Sequence, residues 1–334
     1  MKTCLLTIIP SGRSQSFPRG MLLADALTDM GVRLKTPCGG KGTCGKCGIT
    51  IKGTVTHASP DSDPVNVDGK HLACRTFLYE NIDVFIELET RKTDYEYPKW
   101  SLDDIAGVAV DIGTTSVKIA LVKKSGELFL ADSFLNPQRR YGDDVISRIA
   151  AADDKTARKR LTELICRSIA SSINFMMERM QLSNEKIPCI AFSGNTTMLY
   201  LLLGLDVASL GRAPYHAPTL DFDDLGLDLG FSESVKIIML PIHSAFLGAD
   251  LVGGLAICDS RGYRKNTFFI DLGTNGEIFL RNPQGEIYAT SCAMGPALEG
   301  MTISCGMTAD DGAITHIRDE KGALVYDILG PGVP

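Results

Sequence analysis

No run of about 18 consecutive apolar residues occurs in this 334-residue chain, which excludes a membrane-spanning helix. The longest apolar stretch, near Met198–Leu205, is far too short. Lys/Arg-rich runs are also missing, and 34 basic residues face 40 acidic ones for a net charge of −6. That balance excludes non-specific nucleic-acid binding as a main task. The N-terminus carries one Lys and a short apolar core interrupted by Thr7, with no small-residue cleavage site. It reads as a first strand rather than a signal peptide, and the chain as cytoplasmic. What the chain does have is 44% apolar residues, enough for ordinary globular cores.

Ten cysteines are present, and four of them, Cys38, Cys44, Cys47 and Cys74, lie in the first quarter. A secreted disulfide framework does not cluster this way in so long a chain. The cluster reads as a metal site. Cys4, Cys166, Cys189, Cys258, Cys292 and Cys305 read as small core hydrophobes. Around the cluster the order is a strand at Thr3–Ile9, a helix with Leu22, Leu23, Ala26, Leu27 and Met30 on one face, and then the loop CGGKGTCGKC. A strand from Gly48, the lone Cys74 and a last strand at Ile82–Glu89 follow. Thiolate sulfur favours zinc or iron–sulfur ligation. The loop glycines let the backbone curl and aim N–H groups at sulfur. Zinc remains the alternative, although a zinc ribbon more usually shows two C-x2-C knuckles and the second is absent here. The spacing C-x5-C-x2-C with the later LACR resembles a 2Fe-2S ferredoxin-type domain of β-grasp fold, similar to adrenodoxin-like ferredoxins. It covers about residues 1–92. The resemblance implies Cys38, Cys44, Cys47 and Cys74 as ligands of a 2Fe-2S cluster. Residues 93–105 read as a polar linker holding the single Trp, which either anchors on a neighbouring domain or is merely buried.

Beyond residue 105 the chain repeats itself. GVAVDIGTTSVKIALV, followed by Gly126-Glu127, matches TFFIDLGTNGEIFL, followed by Gly285-Glu286, with one residue fewer in the second copy. Each copy reads strand, D-[IL]-G-T turn, strand, Gly-Glu turn, strand, and such repeats decide architecture. The turn chemistry suits phosphate: glycine allows close approach, successive N–H groups donate, and the aspartate organises magnesium through water. Tight hairpins also carry Asp and Gly for geometry alone; two copies argue for more. The pair resembles the actin/sugar-kinase/Hsp70-like fold, with ribonuclease-H-like halves expected at 106–205 and 206–334. The resemblance implies nucleotide contacts at Asp111, Gly113, Thr114 and Thr115, and at Asp271, Gly273, Thr274, Asn275 and Gly276. A short strand running into Gly194-Asn195 at a helix start suits the same site, or is a plain turn. Asp154–Met180 reads as a packing helix, and Asp250 as a catalytic carboxylate or a helix cap.

The fold class expected is therefore α/β and α+β, a β-grasp ferredoxin-like domain followed by a duplicated actin-like domain. NPQRRYGDDVISRI, SGNTTM, LGAD, DLGTNGEI and GPALEGMTISCGM complete a resemblance to the reductive activators of corrinoid-dependent enzymes, ATP-dependent ferredoxin-fused proteins of anaerobes. That resemblance implies re-reduction of cobalt(II) to cobalt(I) with help from ATP and Mg2+. The partners implied are a corrinoid protein or corrinoid methyltransferase and an upstream electron donor, with no nucleic acid and no membrane; a homodimer is compatible with it. The Gly-rich adenosine motif of the family is not found before Pro334, so the second half is expected to lack its end. The alternative is a ferredoxin-type electron-transfer module whose nucleotide fold no longer binds ATP. Activators of radical dehydratases share the nucleotide fold but lack residues like 1–92. A zinc-binding adaptor would be colourless.

Overall fold

The computed structural model describes residues 2–30, 32, 34, 40, 42–43, 45–86, 99–183, 187–223, 225–294, 313–320 and 322–328. These fall into two compact units, Met1–Leu240 and Pro241–Pro334. The first holds two sheets. The N-terminal sheet has the order β2-β1-β5-β3-β4, built from β1 (Thr3–Ile9), β2 (Arg13–Pro18), β3 (Gly48–His57), β4 (Val65–Leu72) and β5 (Thr76–Phe85). The β1–β5 pair is parallel and the others are antiparallel. Helix α1 (Leu23–Asp29) covers one face. Leu6, Ile8, Leu23, Leu27, Ile51, Leu78, Ile82 and Val84 form the core between them.

The expected strand at Ile82–Glu89 begins earlier, at Thr76, and is described only to Ile86. β2 and β4 are additions. Their sequences, RSQSFP and VNVDGKHL, are too polar to show apolar periodicity because each is a largely exposed edge strand. β3 is curled: Gly48 pairs with Leu72, while His57, at its other end, pairs with Thr76. The curl has a local cause. Gly53 sits at φ +139 beside a register shift, and a Cβ there would stand 2.7 Å from the Asn81 carbonyl oxygen. Both ends of β3 thus converge on the stretch that carries Cys74, and the same convergence stacks His57 on His71 at 5.0 Å.

The second sheet has the order β10-β9-β6-β7-β8, from β6 (Ile105–Ile112), β7 (Ser116–Lys123), β8 (Leu128–Leu135), β9 (Cys189–Gly194) and β10 (Lys236–Met239). β6, β7 and β8 run antiparallel, and β9 and β10 add in parallel. Because β10 belongs to this sheet, the first half does not close at residue 205; it runs to Leu240. Helix α3 (Lys155–Arg179) starts at an Asp154 cap. It buries Leu161, Leu164, Ile165, Ile169, Ile173, Met176 and Met177, the three-and-four spacing that makes one helical face apolar. Trp100 does anchor: its ring meets Phe129 edge-on at 6.5 Å and lies under the Lys123 ammonium.

In the second unit, helix α5 (Ala249–Ser260) covers a three-stranded antiparallel sheet of β11 (Thr267–Leu272), β12 (Asn275–Arg281) and β13 (Ile287–Ala293). Leu251, Cys258, Phe269 and Phe279 form its small core. β14 (Ile314–Glu320) and β15 (Ala323–Ile328) make a separate hairpin. Of the scattered cysteines, Cys4 and Cys258 are buried and Cys166 and Cys189 are half-buried. Burial pushes the Cys166 thiol up to about 12. Cys292 departs from the expectation and is exposed, and Cys305 lies outside the described residues.

Gly53→Ala is expected to lower the stability of the N-terminal domain by about 1–3 kcal/mol, because a carbonyl must give way to the new methyl. Chemical denaturation measures the loss, and faster labelling of Cys47 and Cys74 by a thiol reagent reports that the curl has opened.

Candidate cluster site and phosphate turns

Cys47 and Cys74 are brought together by the β3–β4 register, in which Gly48 pairs with Leu72. Their sulfurs stand 3.2 Å apart, not joined by a disulfide, 2% and 6% exposed, and the Ala73 N–H donates to the Cys47 carbonyl at 3.0 Å. Two thiolates on one tetrahedral ion with metal–sulfur bonds of about 2.3 Å stand about 3.8 Å apart. The pair therefore fits joint ligation of one metal atom. Gly40, Gly42 and Gly45 all have positive φ, near +82, +79 and +70. Such a backbone points successive N–H groups to one side, as an anionic sulfur cluster requires. The other two predicted ligands, Cys38 and Cys44, lie outside the described residues.

The first D-I-G-T turn is assembled by register. Asp111 lies beside Ser193 and Ile112 beside Gly194, so the β6–β7 turn and the β9–α4 turn share one edge of the sheet. Asn195 caps α4 (Thr196–Leu202) by accepting from the Met198 N–H at 3.0 Å. Its amide donates to Thr114 Oγ1 at 3.0 Å, so two predicted residues meet. Glycine is required at both turns. A Cβ on Gly113 would stand 2.7 Å from the Ser116 carbonyl oxygen, and one on Gly194 2.6 Å from that of Ile112. Asp111 is exposed at the strand end, Thr115 is half-buried and Thr114 is buried.

Residues that motif reading left without a role hold this turn from behind. Asn136 is 1% exposed; its amide donates to the Gly113 carbonyl at 2.8 Å, and its backbone N–H donates to that of Thr115 at 2.8 Å. Arg148, on α2 (Val145–Ala152), is fully buried. It donates to the Thr114 carbonyl at 2.5 Å and to the Gly142 carbonyl at 2.9 Å. Burial and the nearby Arg139 lower its pKa to about 10, so it is charged at neutral pH. Both residues lie in NPQRRYGDDVISRI, but nothing in that string tells which polar residues turn inward.

The second turn, in the other unit, repeats the first bond for bond. Gly113 N–H donates to Ser116 and Gly273 N–H to Asn275; further on, Lys123 N–H donates to Glu127 and Asn282 N–H to Glu286. Gly126 and Gly285 share φ near +90. The missing residue falls in the turn itself. Ile112 pairs with Val117, whereas Leu272 pairs with Gly276. Asp271 and Thr274 are half-buried, Gly273 is exposed and Gly276 is buried, while Asn275 opens β12. Opposite Asp271 in the register is Glu277, where the first copy has Lys118 opposite Asp111. Glu277 is 4% exposed. Burial first, then Asp250 and Asp271, push its carboxyl up to about 7. Asp250 lies in the first turn of α5, accepting from the Leu251 N–H; the cap itself is Gly248. This carboxylate trio is visible only once the strands are paired.

Two outcomes follow. Arg148→Met leaves two buried carbonyls without a donor and is expected to cost about 2–4 kcal/mol, read as a lower denaturation midpoint with an unchanged slope. Glu277 keeps in the folded unit a proton that the unfolded chain releases between its ordinary pKa of 4.5 and about 7. Its contribution to stability therefore falls as pH rises through that window. Glu277→Gln should flatten the pH dependence of melting and stabilise the chain most above about pH 7; an unaltered pH profile would count against the buried acid.

Comparison with known proteins agrees with this arrangement along the chain. The 2Fe-2S iron-sulfur cluster binding domain matches residues 6–79, the RACo middle region residues 106–261, and the C-terminal domain of RACo, the ASKHA domain, residues 265–331. The corrinoid activation enzyme RamQ of Eubacterium limosum is 34% identical over 272 residues, 79% of this chain and 45% of the relative. The [Co(II) methylated amine-specific corrinoid protein] reductase of Methanosarcina barkeri is 24% identical over 230 residues, 64% of this chain and 41% of the relative. The chain thus spans less than half the length of these curated relatives. A solved structure, the reductive activator for corrinoid, iron-sulfur protein, shares the fold with a TM-score of 0.57 at 23% identity, covering 97% of this chain and 68% of that one. The chain is homologous to the corrinoid activation enzyme RamQ and to the reductive activator for corrinoid, iron-sulfur protein, and carries a 2Fe-2S domain followed by the RACo middle and ASKHA regions.

Proposed function

We propose that this chain delivers single electrons to a corrinoid protein, returning inactive cobalt(II) to cobalt(I), with Mg-ATP as its nucleotide and each D-[IL]-G-T turn a phosphate contact in its own unit. The observation that carries the reading is the buried Cys47–Cys74 pair, not joined by a disulfide, at the convergent ends of β3. Cys38, Cys44, Cys47 and Cys74 would hold the 2Fe-2S cluster. When bound, the cluster supplies a one-electron couple, near about −400 mV for the plant-type class. One electron enters from an upstream donor and one leaves to cobalt, so no bond to substrate is made or broken by the chain. The residues around the thiolates exclude water: Val32, Ile49, Ala73 and Leu78 are all buried. The loop N–H groups favour the more negative reduced state.

At the turns, Gly113 and Gly273 keep Cβ atoms out of the path of a phosphate. Asp111 and Asp271 would hold hydrated magnesium. Arg148 and Asn136 occupy the carbonyls of Gly113, Thr114 and Thr115, so those oxygens would not face a bound phosphate unpaired. Nucleotide binding would bias the chain toward one of two conformations, and that differential affinity is what drives an uphill electron transfer. No helix among the described residues is long and apolar enough to cross a membrane, in keeping with an aqueous partner.

Anaerobic absorption and electron paramagnetic resonance spectra test the cluster. The oxidised chain should be reddish-brown, bleach with dithionite and gain a rhombic S = 1/2 signal, and Cys74→Ser should lose most of it. A colourless chain with stoichiometric zinc would falsify the electron-transfer reading. Titration with a fluorescent ATP analogue tests the turns separately: saturable, magnesium-dependent binding is expected, and Gly113→Ala should abolish it.

A further inference from the structure

Two glycines of the cysteine loop lie beneath arginine stems. A Cβ on Gly42 would stand 3.0 Å from Arg75 Cγ, and one on Gly40 3.2 Å from Arg140 Cγ. Arg75 belongs to the N-terminal domain itself. Arg140 does not: it lies on the 3-10 turn Pro137–Tyr141, which begins at Asn136. Asn136 is the residue that bonds the carbonyls of both Gly113 and Thr115.

The path between the two sites is continuous and buried. Gln138 N–H and Arg139 N–H both donate back to Asn136, at 2.9 and 3.1 Å. The Gln138 amide donates to the Leu161 carbonyl on α3 at 3.1 Å. Arg148 bonds the Thr114 carbonyl at one end and Gly142, just past the 3-10 turn, at the other. Asn136, Gln138, Arg139 and Arg148 are all no more than 3% exposed. Side chains packed this closely shift together rather than deform independently.

At the far end, the Arg140 guanidinium pairs with Asp25 of α1. The other oxygen of Asp25 takes Arg160 of α3 at 2.5 Å, and Arg167 of α3 takes Asp29 at 2.5 Å. Asp25 is 9% exposed. Beside these pairs lies a groove of about 1520 Å³ lined by residues of α1 and α3. Among the described residues, three ion pairs cross the seam between the cluster domain and the middle region: Arg140–Asp25, Arg160–Asp25 and Arg167–Asp29. A paired charge with so little water around it is directional, so motion of Arg140 is transmitted rather than absorbed.

We propose that Arg140 is a positioning residue that couples occupancy of the Gly113–Thr115 turn to the cysteine loop around Gly40. The inference rests on reading the turn as a phosphate site and the loop as a cluster site. An anion accepting the turn's N–H groups moves the Gly113 and Thr115 carbonyls. Asn136 follows them, and the 3-10 turn carries the Arg140 stem against Gly40 and its guanidinium against Asp25. Coupling between two binding events is reciprocal, so the redox state of the cluster should alter nucleotide affinity by the same route.

The test uses the full chain with its cluster reconstituted, Mg-ATP as the probe, and amide hydrogen exchange read at residues 113–116 and at residues 40–47. Mg-ATP should slow exchange at both stretches in the wild type. Arg140→Gln should keep the first effect and lose the second, Asp25→Asn should do the same from the other side of the pair, and Arg140→Lys should restore part of it. Mg-ATP affinity should differ between oxidised and reduced wild type by about fivefold or more, and by almost nothing in Arg140→Gln. A purely structural arginine would alter melting but not this nucleotide-dependent difference. Protection of 113–116 without 40–47 in the wild type overturns the coupling and leaves the nucleotide site standing. Retention of both effects in Arg140→Gln overturns the role of Arg140. Protection of neither stretch removes the nucleotide site, and the coupling with it.

Discussion

A guanidinium with no access to water organises the first unit. Arg148 reaches the carbonyl of Thr114 in one direction and that of Gly142 in the other. A buried charge is tolerable only when its donors are used, so the two segments it bonds cannot drift apart. One is the phosphate turn; the other follows the 3-10 turn that carries Arg139 and Arg140. Asn136 adds a second tie between the same segments. The carbonyls of Gly113, Thr114 and Thr115 are all occupied by this pair of residues behind the turn.

The same economy governs the cysteine site. The antiparallel β3–β4 register pairs Gly48 with Leu72, and so places Cys47, just before β3, beside Cys74, two residues past β4. Cys47 and Cys74 then meet across 3.2 Å although 27 positions separate them. No side-chain chemistry is needed to bring the thiols together, because backbone pairing does it.

Duplication explains the rest of the architecture. The two βββ segments share both turn bonds and both left-handed glycines, and differ by one residue located in the phosphate turn. The copies have diverged electrostatically. A lysine faces the aspartate of the first copy; a glutamate faces that of the second and stays protonated up to about pH 7.

Much was legible in the order of residues alone. The cysteine spacing, the D-[IL]-G-T repeat and the long α3 stripe depend on local periodicity and on turn chemistry, which neighbouring residues settle among themselves. The polar edge strands β2 and β4 were not legible, because an exposed edge leaves no apolar alternation to read. Nor was the membership of β10 in the first sheet, since a four-residue strand says nothing about its partner. The sequence by itself determined which residues can ligate metal and phosphate. Only the tertiary structure decided that Asn136, Arg148 and Arg140 stand between the two sites and that Glu277 is buried beside two aspartates. Those facts depend on strand register and on which polar side chains lose their water, and both are set by contacts between residues far apart in the chain.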